Sequence, residues 1–236
     1  MVVLYEDNHI IVVNKAAGEV VQGDETGDVT LLDIVAKYLK EKYNKPGNVF
    51  VGLPHRLDRP TTGIVVLAKT SKALVRLNSL FQNRDGVKKT YWAVVDKRPP
   101  KFTDTLTHYL LKKEDQNRSY AYDKKQKGAK LASLTYRHVA SIDNYHLLEI
   151  ELHTGRHHQI RVQLRQVKRY IKGDVKYGFP RPNTDKSIHL HARKIEFLHP
   201  VKNETVTIVA DPPDDVVWNE FMKLFRSNRF SPVTPV

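Results

Sequence analysis

Pro54-His55-Arg56-Leu57-Asp58-Arg59-Pro60-Thr61-Thr62-Gly63, followed by Ile64-Val65-Val66-Leu67-Ala68-Lys69, sets a carboxylate among two arginines, a proline and a glycine. The β-branched run from Gly63 to Ala68 reads as a strand by composition and length. The polar stretch before it reads as a loop mounted on that strand, and loops held by a rigid sheet are where catalytic side chains tend to sit. A carboxylate near Arg stays ionised, because the opposite charge lowers its pKa below the usual value of about 3.9. Such a group suits a nucleophile or a base. On spacing alone, an Asp–Arg ion pair that merely fixes a turn is the preferred reading.

Outward from this segment, further short apolar runs recur at His9 to Val13, Thr90 to Val95, Leu131 to Val139, Tyr145 to Leu152, Ser187 to Phe197 and Glu204 to Val209. His146, Leu148, Ile150 and Leu152 alternate with Leu147, Glu149 and Glu151, the period of a half-buried strand. Helical stripes interrupt the strands. Leu31, Ile34, Val35, Tyr38 and Leu39 follow helical spacing behind Thr30 as an N-cap, and Ala73, Leu74, Leu77, Leu80 and Phe81 do so behind Thr70. A third helix is expected to begin near Thr154, with Ile160, Leu164 and Val167 on one side, and a fourth near Asp215, with Val217, Phe221, Leu224 and Phe225. Each stripe reads as core packing rather than a ligand box. The elements do not alternate strictly as βαβ, so the expected class is α+β, a mixed, largely antiparallel sheet flanked by helices. Lys124 to Lys130 and the tail after Ser227 read as mobile loop and terminus. No boundary separates two independent domains. The expectation is one domain over 1–236, with a core at about 3–210 and a C-terminal helix at about 215–226.

A chain of 236 residues can bury one substantial core, or two small ones sharing a cleft. Lys plus Arg number 39 against 26 Asp plus Glu, a formal charge of +13. A polyanionic partner, whose phosphates Lys and Arg would neutralise, and a generally basic solvated surface account for that excess about equally well. The absence of Cys excludes a disulfide framework, a thiolate metal site and a Cys nucleophile, and fits a reducing cytoplasm. Glu6, Asp7 and Asn8 stand where a signal peptide needs apolar residues, and no segment approaches the roughly 18 to 20 apolar residues of a membrane span. A cytoplasmic protein without a membrane partner is expected.

Several segments carry a family resemblance in addition. His55-Arg56-Leu57-Asp58 with Thr61-Thr62-Gly63 resembles the H-R-L-D-x-x-[TS]-S-G signature of the RluA group of pseudouridine synthases. Lys89-Thr90-Tyr91-Trp92-Ala93-Val94-Val95 resembles that group's K-x-Y-x-A-x-V strand, and Thr154-Gly155-Arg156-His157-His158-Gln159-Ile160-Arg161-Val162 its T-G-R-x-H-Q-I-R segment. Gly173-Asp174 with Tyr177-Gly178 is similar to its G-D-x-x-Y-G turn, and Leu190-His191-Ala192 with Phe197 and His199-Pro200 to its late strand. Asn14-Lys15-Ala16-Ala17-Gly18 resembles the N-K-P-x-G entry, with Ala16 where Pro is usual. These matches arrive in the family's order between about residues 3 and 210. Thr62 for the usual Ser is the second departure, and it keeps the hydroxyl.

The resemblance implies an α+β core with a central RNA-binding cleft, and an enzyme that isomerises uridine to pseudouridine within rRNA or tRNA. It makes Asp58 the essential carboxylate, Arg161 its ion-pair partner, and Tyr91 a ring that stacks on uracil and takes part in proton transfer. Arg59 would fill the space left by the flipped nucleotide, since a guanidinium stacks on bases and pairs with phosphates. His55, Arg56, Thr62, Lys89 and Ile160 complete the expected substrate-binding set, His55 and Arg56 as loop-shaping residues rather than catalysts. Breaking the C1′–N1 bond, turning the base and rejoining it through C5 needs no redox change or group donor, so neither cofactor nor metal is assigned. His157 and His158, adjacent on the expected helix, would face different directions and do not show metal-ligand spacing.

Arg84 to Lys89, Lys124 to Lys130 and Arg165 to Lys172 are candidates for phosphate contact. An idle RNA-binding module would be favoured by loss of Asp58, Tyr91 or Arg161, and all three are present. A carboxylate-dependent nucleoside hydrolase would need a second acid or base that the sequence does not single out. The first family-like strand begins within the opening residues, so no S4-like RNA-binding domain is expected ahead of the core. A monomer is the expected state.

Overall fold

A computed structural model describes residues 1–23, 27–83 and 86–227. Arg84 and the tail after Ser227 lie outside the described residues. Among those described, the chain forms ten strands, four α-helices and one short 3-10 turn, an α+β fold. In order these are β1 (Val2–Glu6), β2 (Ile10–Lys15), α1 (Leu31–Lys42), β3 (Thr62–Ala68), α2 (Ser71–Asn83), β4 (Val87–Val95), β5 (Thr103–Lys113) and β6 (Arg118–Tyr122). Then come β7 (Lys130–Ile142), β8 (Tyr145–Leu152), α3 (Gln159–Gln166), the 3-10 turn Val175–Tyr177, β9 (Leu190–Leu198), β10 (Thr205–Val209) and α4 (Val216–Arg226). They divide into two compact units, one of Met1–Thr90, Thr184–Ser187 and His191–Asp211, the other of Tyr91–Asn183, Ile188–Leu190 and the chain from Pro212.

In the first unit β2 pairs antiparallel with β1 and β3, and β10 pairs antiparallel with β9. β3 meets β9 in parallel through Thr62↔His191 and Gly63↔Ala192. Every residue of β3 and all of Ile10 to Val13 are buried, which explains why these runs do not alternate with polar residues. Ile10, Val12, Ile64 and Val66 pack with Ala73 and Leu77 of α2 and with Phe197 and Ile208. The N-cap expected for α1 is present. Thr30 Oγ1 accepts from Asp33 N–H, and the Asp33 carboxylate accepts from Thr30 N–H at 2.9 Å, closing a capping box. Thr70 likewise accepts from Ala73 N–H ahead of α2.

In the second unit the strand order is β4-β8-β7-β5-β6, with β8, β7, β5 and β6 paired antiparallel. Helix α3 packs one side of this sheet, where Val162 meets Leu110, Ala132 and Tyr177. Helix α4 covers part of the other side. Its Trp218 and Phe221 cluster with Trp92, Val94 and Leu147, and Phe225 meets the Trp92 ring at 4.5 Å. This cover buries Leu147, which the alternation of β8 had placed on a polar face. Asp215 caps α4 by accepting from Val217 and Trp218 N–H, and it bonds His189 at 2.8 Å, whose ring stacks on Trp218.

Two expectations need correction. Helix α3 starts at Gln159 rather than near Thr154, because Thr154 to His158 form a side-chain-bonded turn and His158 sits in the left-handed region at φ +52°. His157 and His158 therefore lie ahead of the helix, and their rings stack at 3.8 Å instead of diverging. Strands β5 and β6 were not read from the sequence at all. Thr30→Ala removes the capping box and is expected to lower stability by about 1 kcal/mol in urea denaturation followed by circular dichroism. An unchanged midpoint would show that the box is not holding α1.

Candidate active site

The loop around Asp58 belongs to the first unit, and three anchors hold it. Below it, Lys15 at the end of β2 is 1% exposed, and its Nζ donates to the carbonyls of Ala16 (2.9 Å), Arg59 (3.0 Å) and Thr61 (2.8 Å). Gly18 N–H also donates to Arg59 O, and Thr61 N–H to Asp58 O, which closes a turn. Burial pulls the Lys15 pKa down to about 8, against the nearby charges of Glu19 and Asp58, which favour the ammonium. Sequence reasoning quoted Lys15 within a motif without giving it a role. Its signal was a charged residue two places beyond the apolar run Ile10 to Val13.

The second anchor is His55. Its Nε2 accepts from Val66 N–H at 2.9 Å, so the proton sits on Nδ1, and its ring stacks on Phe81 at 4.6 Å. Lys89 Nζ lies 4.3 Å from the same Phe81 ring. Burial, helped by the Lys89 charge, lowers the His55 pKa well below its ordinary value, so the ring is neutral. His55 and Lys89 thus meet through one aromatic ring, and His55 shapes the loop.

The third anchor closes the loop at β3. His191 Nε2 lies 3.0 Å from the Ala210 carbonyl and must donate to it, which leaves Nδ1 to accept the Thr62 hydroxyl at 2.8 Å. Burial pulls the His191 pKa down to about 4, despite the Ala210 bond, and keeps this arrangement neutral. Next to it Gly63 has φ +113°, and a Cβ there would stand 2.5 Å from Ala192 backbone N and O. Only glycine fits. Leu57 is buried, whereas Arg56 and Arg59 are exposed. Arg59 Nη1 rests on Asp28 Oδ2 at 3.0 Å, an open surface pair of a kind typically worth about 0–1 kcal/mol.

Tyr91, Ile160 and Arg161 belong to the second unit, each at most 8% exposed. Arg161 grips Asp174 with two parallel bonds, Nε to Oδ2 at 2.7 Å and Nη2 to Oδ1 at 2.8 Å. Its guanidinium also lies 5.0 Å from the Tyr177 ring. Tyr177 Oη accepts from Ser119 N–H at 2.9 Å and shares a hydrogen bond with His158 Nδ1 at 2.8 Å. Burial and the Arg161 charge pull the His158 pKa down to about 2. Gln159 ties the turn ahead of α3, its Oε1 accepting from the Thr154 hydroxyl and from Arg156 N–H. Asp174, Tyr177 and His158 lay inside quoted motifs without an assigned role. Ile160 is packed in the interior at 4% exposure.

Thr62→Ser keeps the bond to His191 and is expected to leave thermal stability within about 0.5 kcal/mol, while Thr62→Val strands a buried acceptor and lowers it by about 1–3 kcal/mol. Equal stability of the two variants would remove the third anchor. For Lys15 the folded pKa near 8 lies below the unfolded value of 10.5, so the unfolded chain binds more protons between them. The stability of the unaltered chain relative to Lys15→Met should therefore rise from pH 8 to 10, by up to about 1.4 kcal/mol per pH unit. A pH-independent difference in chemical denaturation would show that the ammonium is not held against its burial.

A family model described as RNA pseudouridylate synthase matches residues 9–166, more than half of the chain. Over 215 residues the chain is 32% identical to an uncharacterised RNA pseudouridine synthase of Synechocystis, covering 89% of this chain and 65% of that protein. It is 34% identical over 231 residues to the ribosomal large subunit pseudouridine synthase D of Neisseria meningitidis, covering 91% of this chain but only 59% of that protein. With the tRNA pseudouridine synthase C of Salmonella typhi it shares 29% identity over 244 residues, 94% of this chain and 89% of that one. The fold is shared with the solved human RNA Pseudouridylate Synthase Domain Containing 4, at a TM-score of 0.77 and 24% identity over 96% of this chain and 93% of that chain. The matched span takes in both the anchored loop of Asp58 and the helix of Arg161, and on this extent of likeness the chain belongs to the RNA pseudouridylate synthase family.

Proposed function

We propose that this chain isomerises uridine to pseudouridine in rRNA or tRNA, without a cofactor, using Asp58 as the essential carboxylate. The observation that carries the reading is the Asp58 loop itself, a family-matching segment anchored by Lys15, His55 and Thr62. Relatives named for the ribosomal large subunit and for tRNA supply the substrate class. The chemistry cleaves C1′–N1, rotates the uracil and joins C5 to C1′, and the proton leaving C5 balances the one gained at N1. Attack at C6, attack at C1′ and removal of the C2′ proton all demand an ionised carboxylate within reach of base or sugar.

Arg161 would pair with that carboxylate, and its two parallel hydrogen bonds to Asp174 support the role by fixing the guanidinium. Tyr91 would stack on the uracil and help move a proton late in the reaction. Arg59 would occupy the gap left by the flipped nucleotide. Its weak surface pair with Asp28 supports this, because the side chain can leave at little cost.

Incubating the purified chain and Asp58→Asn with unmodified transcripts and total RNA, then quantifying nucleosides by chromatography, tests the reading. Pseudouridine should accumulate with the unaltered chain, and at least about 100-fold more slowly with Asp58→Asn. Release of free uracil would replace the isomerase with a hydrolase, and equal rates for the two proteins would remove Asp58 from the chemistry.

A further inference from the structure

The same side of the second unit's sheet that α4 covers at one end carries a different surface on its outer strands. Cross-strand pairs set Tyr109 opposite Tyr122, Leu111 opposite Tyr120, and Tyr109 opposite Leu131, so these side chains share one face. Leu131 is 48% exposed and the three tyrosines are half-buried. The face continues into exposed hydroxyl pairs, Thr107 with Ser133 and Thr105 with Thr135. β6 ends the strand order, so Tyr120 and Tyr122 stand on an edge strand.

Charge surrounds this aromatic patch. Lys113 Nζ lies 5.4 Å and the Arg118 guanidinium 5.7 Å from the Tyr120 ring centroid. The turn from β6 to β7 adds Lys124, Lys125 and Lys127, all exposed, and Lys130 opens β7. Between Tyr109 and Leu131 there are seven Lys and Arg against three Asp and Glu. Arg118 Nε is also buried without a hydrogen-bond partner. Rings on a sheet with a cationic rim match a chain of bases and phosphates, because bases stack on aromatic faces while Lys and Arg neutralise the backbone. Alternate residues of a strand are about 7 Å apart, which lets Tyr120 and Tyr122 receive successive splayed bases.

We propose that this face docks a single-stranded segment of the RNA substrate, with unpaired bases stacked on Tyr120 and Tyr122 and phosphates held by the Lys124 to Lys130 segment. The proposal rests on the reading of the chain as an RNA-modifying enzyme and names a second contact on that RNA, made by residues given no chemical role.

Fluorescence anisotropy of the full chain with a labelled oligouridylate of about 12 nucleotides, within the usual footprint of one single-strand site, tests it. The unaltered chain should bind, and the Tyr120→Leu, Tyr122→Leu double variant should bind on the order of tenfold more weakly. The Tyr120→Phe, Tyr122→Phe variant keeps the rings and should bind as the unaltered chain does. Replacing Lys124, Lys125, Lys127 and Lys130 with Gln should flatten the dependence of log K on log salt by about 0.7 for each phosphate no longer neutralised. Unchanged affinity of the leucine variant, with its circular dichroism intact, would overturn the docking face and leave the RNA reading standing. Binding to structured transcripts without any binding to oligouridylate would do the same. No binding to either RNA would overturn both. A dimer in sedimentation equilibrium that the leucine variant dissociates would assign the face to a second copy of this chain and reject the RNA contact.

Discussion

Burying an ammonium costs several kcal/mol unless its donors find acceptors, and Lys15 matches its three N–H groups to three carbonyls. Two of those carbonyls, from Arg59 and Thr61, flank the turn that follows Asp58. The loop therefore cannot move independently of β2, since any shift of the turn would strand a charge in the interior. His55 and Thr62 extend the same logic to either side. The His55 ring accepts from Val66 N–H and the Thr62 hydroxyl donates to the His191 ring, and burial keeps both rings neutral. A loop without regular secondary structure gains the rigidity of a sheet in this way, which is what a carboxylate needs if it must meet a small target with fixed geometry.

Around Arg161 the second unit solves the opposite problem, a fixed cation in a dry environment. Asp174 satisfies two guanidinium N–H groups and is itself only 1% exposed. Tyr177 lies along the guanidinium, and its hydroxyl is hydrogen-bonded to a histidine that burial keeps uncharged. A second positive charge at His158 would repel the Arg161 guanidinium, so its low pKa protects the pair. The first turn of α3 is buried on all sides, which is tolerated only because Thr154, Gln159 and Ser133 satisfy one another.

What could be read without coordinates follows from what has a local signature. Strands β3, β8 and β10, the caps Thr30 and Asp215 and the stripes of α1, α2 and α4 all obey short-range rules, and each is found within a few residues of its expected place. β5 escaped notice because its buried positions are Leu106, His108 and Leu110. His108 interrupts the apolar period and is accommodated by Gln163 from α3, a partner far away in sequence. The late start of α3 has a similar cause, since Thr154 bonds Gln159 and the β7 backbone rather than capping a helix. The loop of Asp58 was legible as a motif. Its supports Lys15 and His191 were not, and neither were Asp174 and Tyr177 beside Arg161, because all four act through contacts that no spacing reveals.

The placement of the aromatic side chains has a spectroscopic consequence. The chain has two tryptophans, Trp92 and Trp218, and both sit in the cluster under α4. Emission excited at long wavelength thus originates wholly in the second unit and tracks the docking of its last helix. Melting of the first unit, which holds the Asp58 loop, has no tryptophan of its own to report it. A fluorescence transition of this protein describes the hold on α4, and a tryptophan introduced into α2 would give the other half of the molecule a separate voice.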